Sequence, residues 1–125
     1  MFSLINKTKG KLKHLPFQQI KEKILGKKFE LSLVFIWNTL SKKINLKWRG
    51  KKTPANILSF PLSPYEGEIF INLELVSKQA KKISRNRVEY IKSLFIHGLL
   101  HLKGMTHSSK MEDEEAKLCN FFSNY

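Results

Sequence analysis

Internal disulfide chemistry is closed to this chain, which has a single cysteine, Cys119, in 125 residues. That usage suits a reducing compartment, and the expectation is the cytoplasm, with Cys119 packed on a helix rather than reactive. Long hydrophobic runs are missing as well. The strongest, Leu31–Trp37 and Leu94–Leu102, fall well short of the roughly 20 residues that span a bilayer. The apolar start Met1–Ile5 is too short for a secretory signal and runs straight into lysine-rich sequence. Internal repeats and low-complexity linkers are absent, so one domain is expected, long enough to bury about two-thirds of its chain surface. Acidic residues are scarce in one part of the chain only. Residues 1–52 hold 14 Lys and Arg against Glu22 and Glu30, whereas residues 53–125 hold nine against eight acids, so nearly all of the +13 net charge lies early. Part of that excess is ordinary solubilising charge. Its asymmetry nonetheless points to a polyanionic partner, nucleic acid above all, although the aromatic residues do not interleave with the cations as in an RNA-recognition signature.

What the chain does have is concentrated between His97 and His107, in the run His-Gly-Leu-Leu-His-Leu-Lys-Gly-Met-Thr-His, which holds three of its four histidines. His97 and His101 are four apart, so on a helix they project from one side, a turn above one another. Val88, Ile91, Phe95, Leu99 and Leu102 form an apolar stripe on roughly the opposite side. Leu94, Ile96 and Leu100 fill most of the remainder, which makes a buried helix whose polar groups need partners. Gly104 supplies a left-handed position that can end the helix and return His107 to the other two. Three neutral imidazoles with a fourth position left for water make a catalytic zinc site. The spacing H-x-x-x-H-x-x-G-x-x-H is that of metzincin peptidases. Their general base, a Glu directly after the first histidine, is here Gly98, which cannot move a proton. His14, among lysines, is expected to be solvated and not a ligand.

Around this stretch the pattern predicts a mixed sheet with helices packed on it, in the order β-α-β-α-β-β-α-α-α, an α/β (α+β) domain. Phe2–Asn6 reads as a strand and Lys7–Leu15 as a basic loop. Pro16 opens a helix that Gly26 closes. The alternation in Glu30–Trp37 predicts a strand. Asn38 caps a short helix to about Asn45, followed by a basic connection, Leu46–Thr53. Asn56–Pro61 is a strand ended by proline and comfortable at a sheet edge, and Glu66–Asn72 is another strand. Leu73–Ile83 is a helix. Ser84 or Asn86 caps the histidine helix, and Met111–Phe122 is the last helix, with Glu112 to Glu115 favouring its N-terminal dipole.

Four stretches together resemble the YbeY family of bacterial endoribonucleases: Trp48-Arg49-Gly50-Lys51, Asn56-Ile57-Leu58-Ser59-Phe60-Pro61, Gly67-Glu68-Ile69-Phe70-Ile71, and His97 to His107. The ordered match covers about residues 46–118. The resemblance implies a single-domain fold with a zincin-like metal helix, Zn2+ on His97, His101 and His107, and cleavage of single-stranded RNA. It also implies work in the maturation of the 3′ end of small-subunit ribosomal RNA and in ribosome quality control, with RNA and the small ribosomal subunit as partners. Arg49 matches the family arginine tied to activity. Two positions depart from the pattern: Thr106 stands where the family has Asp before the third histidine, removing a carboxylate that would orient a ligand, and Glu68 replaces the Asp of the Gly-Asp strand start.

On that footing Arg49 and His97 are the candidate catalytic residues. Arg49, Lys51, Lys52 and Ser59 are the candidate substrate contacts, Arg49 because a guanidinium fork suits charge building on phosphoryl oxygens. Ser59 is expected to line the groove rather than act as nucleophile. The chain is expected to be a monomer with no membrane or disulfide partner. Two other readings stay open: a non-catalytic ribosome-assembly factor with structural zinc, and a small zinc peptidase, which Gly98 disfavours.

Overall fold

The alternation read in the strands is a division between two sheet faces. Leu31, Leu33 and Phe35 lie on one face with Ile69 and Ile71, in one apolar core with Phe17, Ile20, Phe95 and Leu99. A computed structural model describes residues 1–8, 10, 14–123 and 125. Its elements run β1 (Phe2–Asn6), α1 (Phe17–Leu25), β2 (Glu30–Ile36), α2 (Asn38–Arg49), β3 (Ile57–Ser63), β4 (Glu66–Asn72), α3 (Leu73–Lys82), α4 (Arg87–Leu102) and α5 (Ser109–Phe121). The order is the one expected. Among the described residues the strands form one mixed sheet in the order β1-β2-β4-β3. β2 is parallel to both β1 and β4, and β3 runs antiparallel to β4.

Helix α4 lies across the core face. Ile91, Phe95, Ile96, Leu99 and Leu100 are fully buried in it, as expected of a helix apolar nearly all round. The close fit turns on Gly98. A Cβ there would come within 2.9 Å of Ile57 Cδ1 and 3.2 Å of Ile69 Cδ1. The position that carries the peptidase glutamate is therefore filled by strand side chains. Register brings Ser59 into the same contact. It stands in a row with Ile69 and Leu33 across the sheet, and its hydroxyl donates to the Gly98 carbonyl at 3.1 Å.

Several boundaries differ from those read in the sequence, most by a single residue and some by more. Helix α2 continues through Leu46, Lys47, Trp48 and Arg49 and stops only at Gly50, in the left-handed region at φ 66°. The basic connection is thereby shortened. Asn38 is the first residue of this helix; the cap position falls to Trp37, which makes no side-chain capping bond, and the Asn38 side-chain oxygen instead accepts from Asn72 Nδ2 at 2.6 Å. β3 runs through Pro61 to Ser63, because an outer strand tolerates a residue without an N–H. α5 begins at Ser109, capped by the Ser108 hydroxyl, which accepts from the Met111 N–H at 3.2 Å. Of the two caps considered for α4, Asn86 is the one in place, accepting from the Val88 and Glu89 N–H groups. The expected loop Lys7–Leu15 lies in part, at 9 and 11–13, outside the described residues.

The connection between α2 and β3 is stitched to the helix. Ser41 donates to the Ala55 carbonyl at 2.8 Å and accepts from the Ala55 N–H at 3.0 Å, while Asn45 donates to the Thr53 carbonyl at 2.7 Å. Both side chains are buried. The end of α2, and Arg49 with it, is thus fixed relative to the outer strand.

Candidate metal centre

His97 and His101 leave α4 on one side, a turn apart, at the helix's C-terminal end. Lys103 then closes the helix, and Gly104 takes φ 103°. That left-handed step sends the chain back, as the sequence implied, and His107 returns to the pair. One potential ligand atom from each ring lies within 4.8 Å of the others. The ring centroids are 4.6, 5.2 and 5.4 Å apart. His14 is exposed and takes no part in this cluster.

The two helical rings are held from behind. His97 Nδ1 faces Glu115 Oε1 at 2.9 Å, and His101 Nδ1 faces the Met105 carbonyl at 3.2 Å. A carboxylate and a carbonyl only accept, so both Nδ1 atoms donate. With both rings neutral, each presents a lone pair at Nε2, and those two Nε2 atoms are 3.0 Å apart. Two lone pairs that close call for a cation. Nitrogen ligands at roughly 2.0–2.1 Å from a tetrahedral ion sit about 3.4 Å from one another, so this pair needs little adjustment, and the exposed His107 ring has freedom to complete the set. Burial is the main cause holding the His101 pKa below the ordinary imidazole value. The charges of His97, His107 and Arg49 add to this and the Met105 carbonyl opposes it. A lowered pKa keeps the ring neutral, as a ligand must be.

The trio opens into a cleft of about 320 Å³ also lined by Arg49, Ile57, Ser59 and Gly98. Of the candidate substrate residues, Arg49 and Ser59 are therefore brought to the histidines. Lys51 and Lys52 are exposed beyond the end of α2 and do not line the cleft. On the far side of His97 a second cleft of about 500 Å³ lies between α4 and α5, with Arg85, Glu112, Glu115 and Cys119 on its walls. Burial, reinforced by the Glu115 charge, pushes the Cys119 thiol up, in keeping with an inert packed cysteine. Three cations, Lys47, Arg49 and Lys51, stand around the α2 end, whereas four acids, Glu112 to Glu115, stand together on α5. The centre lies between surfaces of opposite sign.

Glu115 is the site residue that the sequence did not disclose. The run Glu112 to Glu115 reads as helix-dipole acids, and nothing in its spacing marks the last as a partner of a histidine eighteen positions earlier. Thr106 is exposed, and the carboxylate that stands against a histidine of the trio comes instead from the next helix, as Glu115.

The family model for Endoribonuclease YbeY matches residues 5–120. Proteins named Endoribonuclease YbeY from Allorhizobium ampelinum and Rhizobium etli are 37% and 36% identical over 95 and 94 residues, which is 69% and 68% of this chain and 57% and 55% of theirs. One from Agrobacterium fabrum is 37% identical over 69% of this chain and 56% of its own. The match thus spans little more than half the length of these curated relatives. The solution structure of a Thermotoga maritima protein superposes with a TM-score of 0.70 at 25% identity, covering 95% of this chain and 87% of that one. Sequence, fold and relatives together make the chain a member of the YbeY family.

Proposed function

We propose that this protein is a metal-dependent endoribonuclease that cuts single-stranded RNA, with small-subunit ribosomal RNA near its 3′ end as the natural substrate and ribosome quality control as the setting. The observation that carries the reading is the convergence of His97, His101 and His107 beside Arg49 in one open cleft. Three ligands rather than four leave a position for solvent or substrate, which favours a catalytic over a closed structural site. The donor set of imidazole nitrogens suits Zn2+ or a related transition metal. Such an ion, when bound, supplies Lewis acidity and a water acidified toward a pKa of ~7.

The chain's own groups do the rest. Glu115 and the Met105 carbonyl keep the Nε2 edges of His97 and His101 turned inward. Arg49 forks onto the phosphoryl oxygens as their charge grows. Ser59 is committed to the Gly98 carbonyl and shapes the wall. Lys51 and Lys52 add phosphate attraction outside the cleft. The early excess of positive charge and the absence, among the described residues, of a helix long and apolar enough to cross a membrane accord with work on RNA in the cytoplasm.

Cleavage of a single-stranded RNA with and without chelator, with His101→Ala as control, tests the proposal. The metal-loaded protein is expected to cut, and the chelated protein and the variant to be inactive. Full cleavage by His101→Ala would end the metal-centre account. Chelator-sensitive digestion of casein in place of RNA would favour a peptidase, and RNA binding without cleavage would favour an assembly factor.

A further inference from the structure

On the face of the sheet away from the histidines, α2 leaves a small apolar slot. Its volume is about 260 Å³, and Ile44, Trp48, Phe60, Leu62 and Phe70 line it. Phe60 and Phe70 meet edge to face with centroids 6.1 Å apart, which makes a firm floor. Trp48 is 66% exposed and Leu62 58%, and a tryptophan so placed is an unfilled contact rather than core. The slot is too small for a partner helix, whose diameter with side chains is about 10–12 Å, yet open to one planar ring. The segment that carries Ile44 and Trp48 is cationic: Lys42, Lys43, Lys47, Arg49, Lys51 and Lys52 fall within residues 38–52, which contain no acid. Lys47 Nζ lies 5.3 Å from the Trp48 ring centroid. Apolar stacking surface beside cations is the means by which proteins hold unpaired strands.

The slot is registered to the metal cleft twice over. Trp48 and Arg49 are successive helical residues, about 100° apart around the axis, and one lines the slot while the other lines the histidine cleft. Phe60 and Ser59 are successive strand residues on opposite faces, and they divide between the same two places. Both elements thus turn from one site to the other within a single residue. We propose that the slot receives one unpaired base of an RNA strand, stacked on Trp48, while Arg49 takes the adjoining phosphate and aligns the strand across the edge of β3 toward the histidines. Glu68, half-buried at the side of the slot, repels phosphate and so directs the base rather than the backbone inward. The acids of α5 close the opposite approach to a polyanion. This inference rests on the RNA reading above and adds to it the position where a base is gripped.

The test uses the metal-loaded chain in a Trp37→Phe background, which leaves Trp48 as the lone indole. The probes are a short single-stranded 2′-O-methyl oligoribonucleotide, which can bind without being cut, and an abasic strand of equal length and charge. The base-bearing strand is expected to quench Trp48 emission saturably. Trp48→Ala is expected to weaken its binding about tenfold while leaving the abasic strand unchanged, and Trp48→Tyr to restore most of the loss. Equal weakening toward both strands, or none toward either, would overturn the proposal. Tight binding of the base-bearing strand without quenching would overturn it while sparing the nuclease reading. Stacking as expected, with the unmodified RNA left uncut, would sink the nuclease reading and leave the slot standing. Saturation by an apolar peptide instead of the oligonucleotide would assign the slot to a protein partner and overturn it as well.

Discussion

At Arg49 a single guanidinium looks onto three imidazoles from the end of a helix. It shares their cleft, and its charge already bears on His101. Arg49→Ala is therefore expected to retain the fold and the bound metal but to lose about a hundredfold in kcat on single-stranded RNA, the scale of one preorganised donor to developing charge. Unchanged turnover would reduce it to a bystander. Glu115 works one step further back, since it touches His97 and not the cleft around Arg49. Glu115→Ala is expected to weaken metal affinity 10–100-fold, as for other outer carboxylates on ligating histidines, when measured by competition with a chromogenic chelator. Glu115→Gln, which keeps an acceptor oxygen, is expected to recover part of it. An affinity equal to that of the parent in both variants would show that the 2.9 Å contact orients nothing.

Among elements, the decisive contact is α4 upon β3 and β4. Gly98 allows it, with Ile57 and Ile69 already at the place where a side chain would begin. Gly98→Glu, which would write the peptidase base into the motif, is expected to cost about 2 kcal/mol or more through overpacking and burial of charge, and to confer no peptidase activity; a urea midpoint measures the first and casein the second. Gly98→Ala is expected to cost less, because the obstructing atoms are the ends of side chains. At this scale the sequence is informative wherever the signal is local. Period-two strands, the Asn86 cap, the left-handed Gly104 and the i, i+4 histidines all sit where the chain itself indicates. It is silent where partners come from elsewhere. The carry of α2 to Arg49 depends on Ser41 and Asn45 meeting the returning chain. The Glu115–His97 pair depends on how α5 crosses α4, and no periodicity encodes a crossing.

Over the whole molecule, charge is organised about the centre, with cations at the end of α2 and acids on α5. Binding of single-stranded RNA is expected to weaken with salt, and the Lys51→Ala, Lys52→Ala double variant to flatten the log–log slope by about 0.7 for each lysine that meets a phosphate. A slope identical to the parent's would place both lysines off the strand. Such a change belongs to attraction at a distance, and it leaves the chemistry of the cleft as it was.

The return at Gly104 has a consequence for the C-terminal helix. His97 and His107 bracket an eleven-residue span, and an ion held by both would act as a removable clasp on it. α5 begins directly after that clasp and reaches back to its other end through Glu115. By thermodynamic reciprocity, whatever the ion contributes to seating α5, a seated α5 contributes equally to retaining the ion. Loss of grip at the C-terminus and loss of the ion are then one event seen from two ends.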